Sequence, residues 1–149
     1  MTAKTEMLLY AAARAQHVEE KVLPALQAGK VVLSDRYVDS SIAYQAYGRG
    51  LGDMVAQVNA IATGGLVPDL TVFLDLPPAV GMARKQQEEN HELDRLEQEK
   101  LEFHQKVYEG YDALCKKEPE RICRIDASGT IEEVFGQIKA ALDELLDRA

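Results

Sequence analysis

Residues 70–76, LTVFLDL, restrict most severely what this chain can become. The run enters through a Val67-Pro68-Asp69 turn and is shut by Pro77-Pro78. It is too short for a helix and too apolar for a strand with one wet face. Its weak alternation and high apolar content read as a parallel strand covered on both sides. Parallel strands need long crossovers, usually helical. An α/β layer is therefore the architecture to expect.

The remaining segments fit that scheme. Val31, Val32 and Leu33, behind Gly29, form a second short apolar run, and residues 121–125, ending at Asp126, a third. Both read as strands. Residues 5–26 read as an amphipathic helix capped by Thr5 and ended by Gly29. Leu8, Leu9, Ala12, Ala13, Val18, Val22, Leu23 and Leu26 form its apolar stripe. A helix over 40–47 is opened by the cap residues Asp39, Ser40 and Ser41. Another, over 54–63, is capped by Asp53 and stopped by Gly64-Gly65. Pro78 suits the first turn of the next helix. Asp94-Arg95-Leu96-Glu97 opens a long helix towards Cys115, which Pro119 terminates. Thr130 caps the last helix, with Glu132 and Glu133 at its positive end and Val134, Ile138, Ala141, Leu142 and Leu145 as its stripe. No linker interrupts the 149 residues, so a single domain is expected. Three strands are few for so much helix, and the first element is already a helix. The expectation is that something upstream is missing.

The chemistry concentrates where the second run ends. Ser34, Asp35, Arg36 and Tyr37 place an acid, a guanidinium and an aromatic where a parallel strand opens onto a ligand crevice. Ser41 and Gln45 then share one helix face, as do Tyr10 and Arg14 on the first helix. The plainer readings are a strand-end ion pair and an aromatic packed on an arginine stem. The glycine-rich 48–52 is a turn and not a phosphate loop, because no lysine or hydroxyl follows at the required spacing. Residues 84–92 have no apolar face, so they read as a solvated segment or as a lid. Cys115 and Cys123 match no metal spacing and read as reduced thiols of a cytoplasmic protein. A net charge of −8 argues against nucleic acid or anionic membrane as partners, although a local arginine cluster can still take a phosphate. No run reaches the roughly 18–20 apolar residues of a membrane span.

LLYAAARAQHVEEKVLPAL followed by VVLSDRYVDSSIAYQ closely resembles bacterial thymidylate kinases, and the likeness continues through VPDLTVFLDLPP, LDRLEQEKLEFHQKVYEGYDAL and RICRIDASGTIEEV. The resemblance implies a P-loop NTPase-like parallel sheet flanked by helices. It also implies transfer of the γ-phosphoryl of ATP to dTMP, giving dTDP, with Mg2+, in a cytoplasmic homodimer. Tyr10 stands where an aromatic stacks on thymine, and Arg14 where an arginine bonds its carbonyl. Asp35 matches the acid near magnesium and the reacting phosphoryl, and Arg36 the arginine on the acceptor phosphate. Ser41 and Gln45 match pocket-lining polar groups. Arg84 and Arg95 bracket the lid over about 84–95, with Arg95 near the phosphoryl groups, and Ala127 and Ser128 border adenine. Members begin with a strand and a loop of the form GxxGxGK followed by Ser or Thr, and these residues contain neither. The chain therefore matches about the C-terminal two-thirds of such an enzyme and is expected to be inactive alone. The rivals are another deoxynucleoside or nucleotide kinase, or a non-catalytic fragment that binds nucleotide or protein.

Overall fold

The computed structural model describes residues 1–86, 96 and 99–148. They form two compact units, Met1–Val67 and Pro68–Ala149.

The first unit is helical. Helix α1 (Ala3–His17) runs through a π-helical turn, Val18–Val22, into α2 (Leu23–Gln27). Pro24 explains the wide turn: it has no N–H to give back to the preceding turn, and its ring crowds a carbonyl there. Gly29, at φ +70°, ends the helix as expected. Two expectations fail at α1. The cap is Thr2, whose hydroxyl accepts from the Thr5 amide at 3.3 Å. The buried face is Glu6, Met7, Ala11, Val18 and Val22, so Val18 and Val22 of the expected stripe are buried, whereas Leu8 and Leu9 are half exposed and Ala12 and Ala13 are exposed. Tertiary partners select the stripe: α1 packs on α4 (Met54–Thr63), and a buried acid on the inward face has its own partners.

Residues 30–33 are not a strand. Val31 and Leu33 are 85% and 87% exposed. A ladder needs a second strand alongside, and no described residue supplies one. Helix α3 (Val38–Ser41) begins earlier than expected, so Asp39, Ser40 and Ser41 lie inside it and do not cap it. It continues into a second π-helical turn, Ile42–Gly48. Asp53 occupies the cap position of α4 without a side-chain cap bond, and Gly64, left-handed at φ +60°, closes that helix.

The second unit is built on a parallel pair, β1 (Thr71–Asp75) and β2 (Ile122–Asp126), in register from Thr71 opposite Ile122 to Asp75 opposite Asp126. Both strands form where the sequence placed them, but β1 is not covered on both faces, since Leu74 is 51% exposed and no residue of the strand is fully buried. Helix α5 (Pro78–Gln86) starts on its proline. Helix α6 (Leu101–Lys117) starts later than expected, because Leu96 and Glu99 form a turn. It presents Phe103, Val107, Gly110 and Leu114 as one buried stripe, while Ile122 and Ile125 are buried on β2. Phe73 on β1 stacks on Tyr111 at 4.8 Å between ring centroids. Helix α7 (Ile131–Arg148) opens with the expected capping box: the Thr130 amide donates to Glu133 Oε2 at 2.8 Å, and the Glu133 amide donates to Thr130 Oγ1 at 3.2 Å. No described helix is long and apolar enough to cross a membrane.

Asp112 accepts from Lys116 at 2.6 Å and from Arg124 at 2.7 Å, and these bonds hold its carboxyl below the ordinary carboxylate range. A depressed folded value means stability that is present above the unfolded value of about 3.9 and lost as pH falls through the folded one. Thermal unfolding midpoints should therefore drop as pH falls below about 4, and Asp112→Asn should flatten that slope. An unchanged slope in the variant would show that other carboxylates set it.

Candidate functional site

In the first unit the backbone bends at the predicted polar cluster. Arg36 has φ +64°, and every other left-handed position among the described residues is a glycine. A side chain held there costs about 1–2 kcal/mol. The Ser34 hydroxyl donates to the Arg36 carbonyl at 2.8 Å, which braces the bend. The exposed Arg36 guanidinium lies 5.1 Å from the centroid of the Tyr44 ring, in cation–π range. Asp35 is exposed and has no ion-pair partner among the described residues, so the simple Asp35–Arg36 pair does not form.

Arg14, on α1, reaches α3 and α4. Its Nη2 donates to Ser41 Oγ at 2.9 Å and to the Tyr37 carbonyl at 3.2 Å, and its Nη1 donates to Asn59 Oδ1. The guanidinium also sits 5.6 Å from the Tyr37 ring centroid. All these partners are neutral. Burial lowers the Arg14 pKa, against which the nearby Tyr37 phenol works, yet a guanidinium starting so high stays charged. Burial raises the Tyr37 phenol, while its bond to Thr63 and the charge of Arg14 pull it down. Three of the five guanidinium N–H groups are thus committed, which leaves Nε–H and one Nη1 hydrogen for a ligand acceptor.

Gln45 is 2% exposed, and its amide nitrogen donates to Glu6 Oε1 at 2.9 Å. Arg49 closes the same network, 3.3 Å from Glu6 Oε2. Tyr10, one turn before Arg14 on α1, is 42% exposed and joins none of these groups by hydrogen bond or ring contact among the described residues. The structure therefore unites Arg14 with Ser41 directly, puts Arg36 over Tyr44, and turns Gln45 towards a buried acid.

In the second unit, Arg84 on α5 donates to the carbonyls of Ala127 and Ser128 at 3.0 and 2.9 Å. Gln137 clasps the backbone of Asp126 through both its amide groups, and Asp126 Oδ1 accepts from the Ser128 amide at 2.9 Å. The Ser128 hydroxyl, followed by that amide bond, keeps the Asp126 carboxyl low. The turn after β2 is thus rigidly held. Most of the lid, from 87 to 95 and including Arg95, lies outside the described residues. Among the described residues, no three His, Cys, Asp or Glu side chains are grouped to hold a metal. A single exposed carboxylate at Asp35 fits a cation that keeps water and phosphate oxygens as its other ligands.

Sequence reading passed over Asn59, Glu6 and Arg49. Asn59 carried a signal, since it lies one turn after Val55 on the apolar stripe of α4 and is 1% exposed. Glu6 carried none, because an acid in a first helical turn is ordinary at a surface.

The profile of the family described as thymidylate kinase matches residues 1–138. A thymidylate kinase of Lactobacillus delbrueckii subsp. bulgaricus is 58% identical over 97% of this chain and 71% of its own length. Those of Latilactobacillus sakei and Lactobacillus helveticus are 56% and 54% identical over 92% and 98% of the chain, and over 64% and 69% of their own lengths. The chain thus spans about two-thirds of the relatives it matches.

Proposed function

The chain belongs to the thymidylate kinase family, and from that we propose that it carries the acceptor side of an enzyme moving the γ-phosphoryl of ATP to dTMP. The family fold is that of the P-loop NTPases. A phosphate oxygen of dTMP attacks the γ-phosphorus of ATP, the bond to the β-phosphate oxygen breaks, and dTDP and ADP leave. Such transfer depends mainly on alignment and on neutralising spread negative charge.

Arg36 grips the 5′-phosphate of dTMP, since a planar guanidinium takes two phosphate oxygens at once. Arg14 offers its two uncommitted N–H groups to a thymine carbonyl, Tyr10 covers the ring, Ser41 frames the pocket, and Gln45, buried against Glu6, backs it. Asp35 would hold magnesium, which when bound would neutralise phosphate charge. Arg84, Arg95, Ala127 and Ser128 serve the ATP side. We read the enzyme as a cytoplasmic homodimer.

The observation that carries this assignment is Arg14. A half-buried guanidinium held by three neutral acceptors keeps its full charge and two N–H groups for a ligand. Uracil-type carbonyls accept such groups, whereas an amino group in their place leaves them unpaired. The 149 residues contain no GxxGxGK run followed by Ser or Thr. These residues alone should therefore bind dTMP without transferring phosphoryl.

The check is a thermal-shift series with dTMP, dAMP, dGMP and thymidine, alongside a coupled ADP-release assay. The expected result is the largest stabilisation by dTMP and no turnover. Stabilisation by thymidine equal to that by dTMP would favour a deoxynucleoside kinase. No response to any nucleotide would favour a non-catalytic module. Turnover at ordinary enzyme rates would overturn the inactivity of the chain.

A further inference from the structure

We propose that Asn59 is a positioning residue for base recognition: from α4, its side-chain oxygen aims the Arg14 guanidinium before any nucleotide arrives. The inference rests on the dTMP reading above.

Asn59 is badly placed for a purely structural residue. Asparagine costs a helix interior about 0.5–0.7 kcal/mol relative to alanine. Burying its amide costs more unless each end is paired. One end is satisfied locally, since Nδ2 donates to the Val55 carbonyl one turn back at 2.8 Å. That leaves Oδ1 needing a donor, and Arg14 Nη1 provides it. A guanidinium only donates, so the amide orientation is fixed by chemistry.

The anchor is also rigid. The Thr63 hydroxyl donates to the Asn59 carbonyl at 3.0 Å, and the Tyr37 phenol donates to the Leu66 carbonyl at 3.3 Å. The end of α4 and its following turn are thereby tied to the same tyrosine whose backbone carbonyl holds Arg14. Three points, Asn59 on α4, Tyr37 before α3 and Ser41 on α3, define the guanidinium plane. A ligand then need not freeze a long side chain, which is where pre-organisation gains affinity.

The test is calorimetric binding of dTMP and of 2-deoxyribose 5-phosphate, which has the phosphate but no base. Asn59→Leu keeps the volume and removes the acceptor. It should weaken dTMP about tenfold, as loss of one hydrogen bond to a charged group does, and leave the sugar phosphate within about twofold. The ratio of the two affinities cancels any loss of folded protein. Asn59→Asp keeps the acceptor oxygen and should hold the ratio within about threefold of the parent. In an Arg14→Ala background, Asn59→Leu should change the ratio no further. Equal loss on both ligands, no loss on dTMP, or an Asn59→Asp ratio as poor as that of Asn59→Leu would overturn the role. Failure of the parent chain to prefer dTMP over the sugar phosphate would instead overturn the dTMP reading itself.

Discussion

Replacing Arg36 with glycine should cost roughly a hundredfold in dTMP affinity and almost nothing in thermal stability. Two charge-assisted bonds to phosphate are together worth about 3 kcal/mol, or about two decades in Kd. On the stability side the contributions nearly cancel. Arg36 sits at φ +64°, which glycine adopts freely, so about 1–2 kcal/mol of strain is released. Against that stand the lost contact with the Tyr44 ring, worth about 0.5–1 kcal/mol, and the greater freedom of glycine in the unfolded chain. Arg36→Ala is the control: it should lose the same affinity but unfold earlier, because alanine keeps the strain without the ring contact. Calorimetry for binding and a thermal melt for stability separate the two effects. If glycine and alanine unfold alike, the bend is not strained. If either keeps its affinity for dTMP, Arg36 does not hold the phosphate.

Arg49→Ala should do the reverse, destabilising the first unit by about 3 kcal/mol, since removing one partner of a buried pair leaves the other uncompensated. Glu6 is 2% exposed and accepts from Arg49 Nε at 3.4 Å, from Arg49 Nη2 at 3.3 Å and from Gln45 at 2.9 Å. With arginine gone, the carboxylate stays buried without its countercharge. For a chain of this size the melt should fall by about 10 °C. Glu6→Gln in the same background removes the charge and should recover about half of the loss, because an amide is far cheaper to bury. A loss under about 1 kcal/mol, or no recovery in the double variant, would mean that water reaches Glu6 and the pair acts as a surface bridge.

What could be read before folding was whatever depends on neighbours in the chain. The run at 70–76 and the short one before Asp126 became paired strands, because apolar runs closed by turn residues have few other uses. Gly29, Gly64 and the Thr130–Glu133 box ended or opened helices as expected, because a left-handed residue or a reciprocal cap acts within four positions. Residues 31–33 carried the same apolar signal yet lie unpaired, since a strand is completed only by another strand. On α1 the periodicity pointed to Leu8 and Leu9, but contact with α4 and the partners of Glu6 turned the other face inwards. The site divides in the same way. The sequence by itself determined that Asp35, Arg36 and Tyr37 follow one another and that Ser41 and Gln45 share a helix face. Only the tertiary structure decided that Arg14 meets Asn59, 45 positions away, and that Gln45 faces Glu6, 39 positions away. Hydrogen bonds of that reach depend on how helices pack, and no local pattern encodes them.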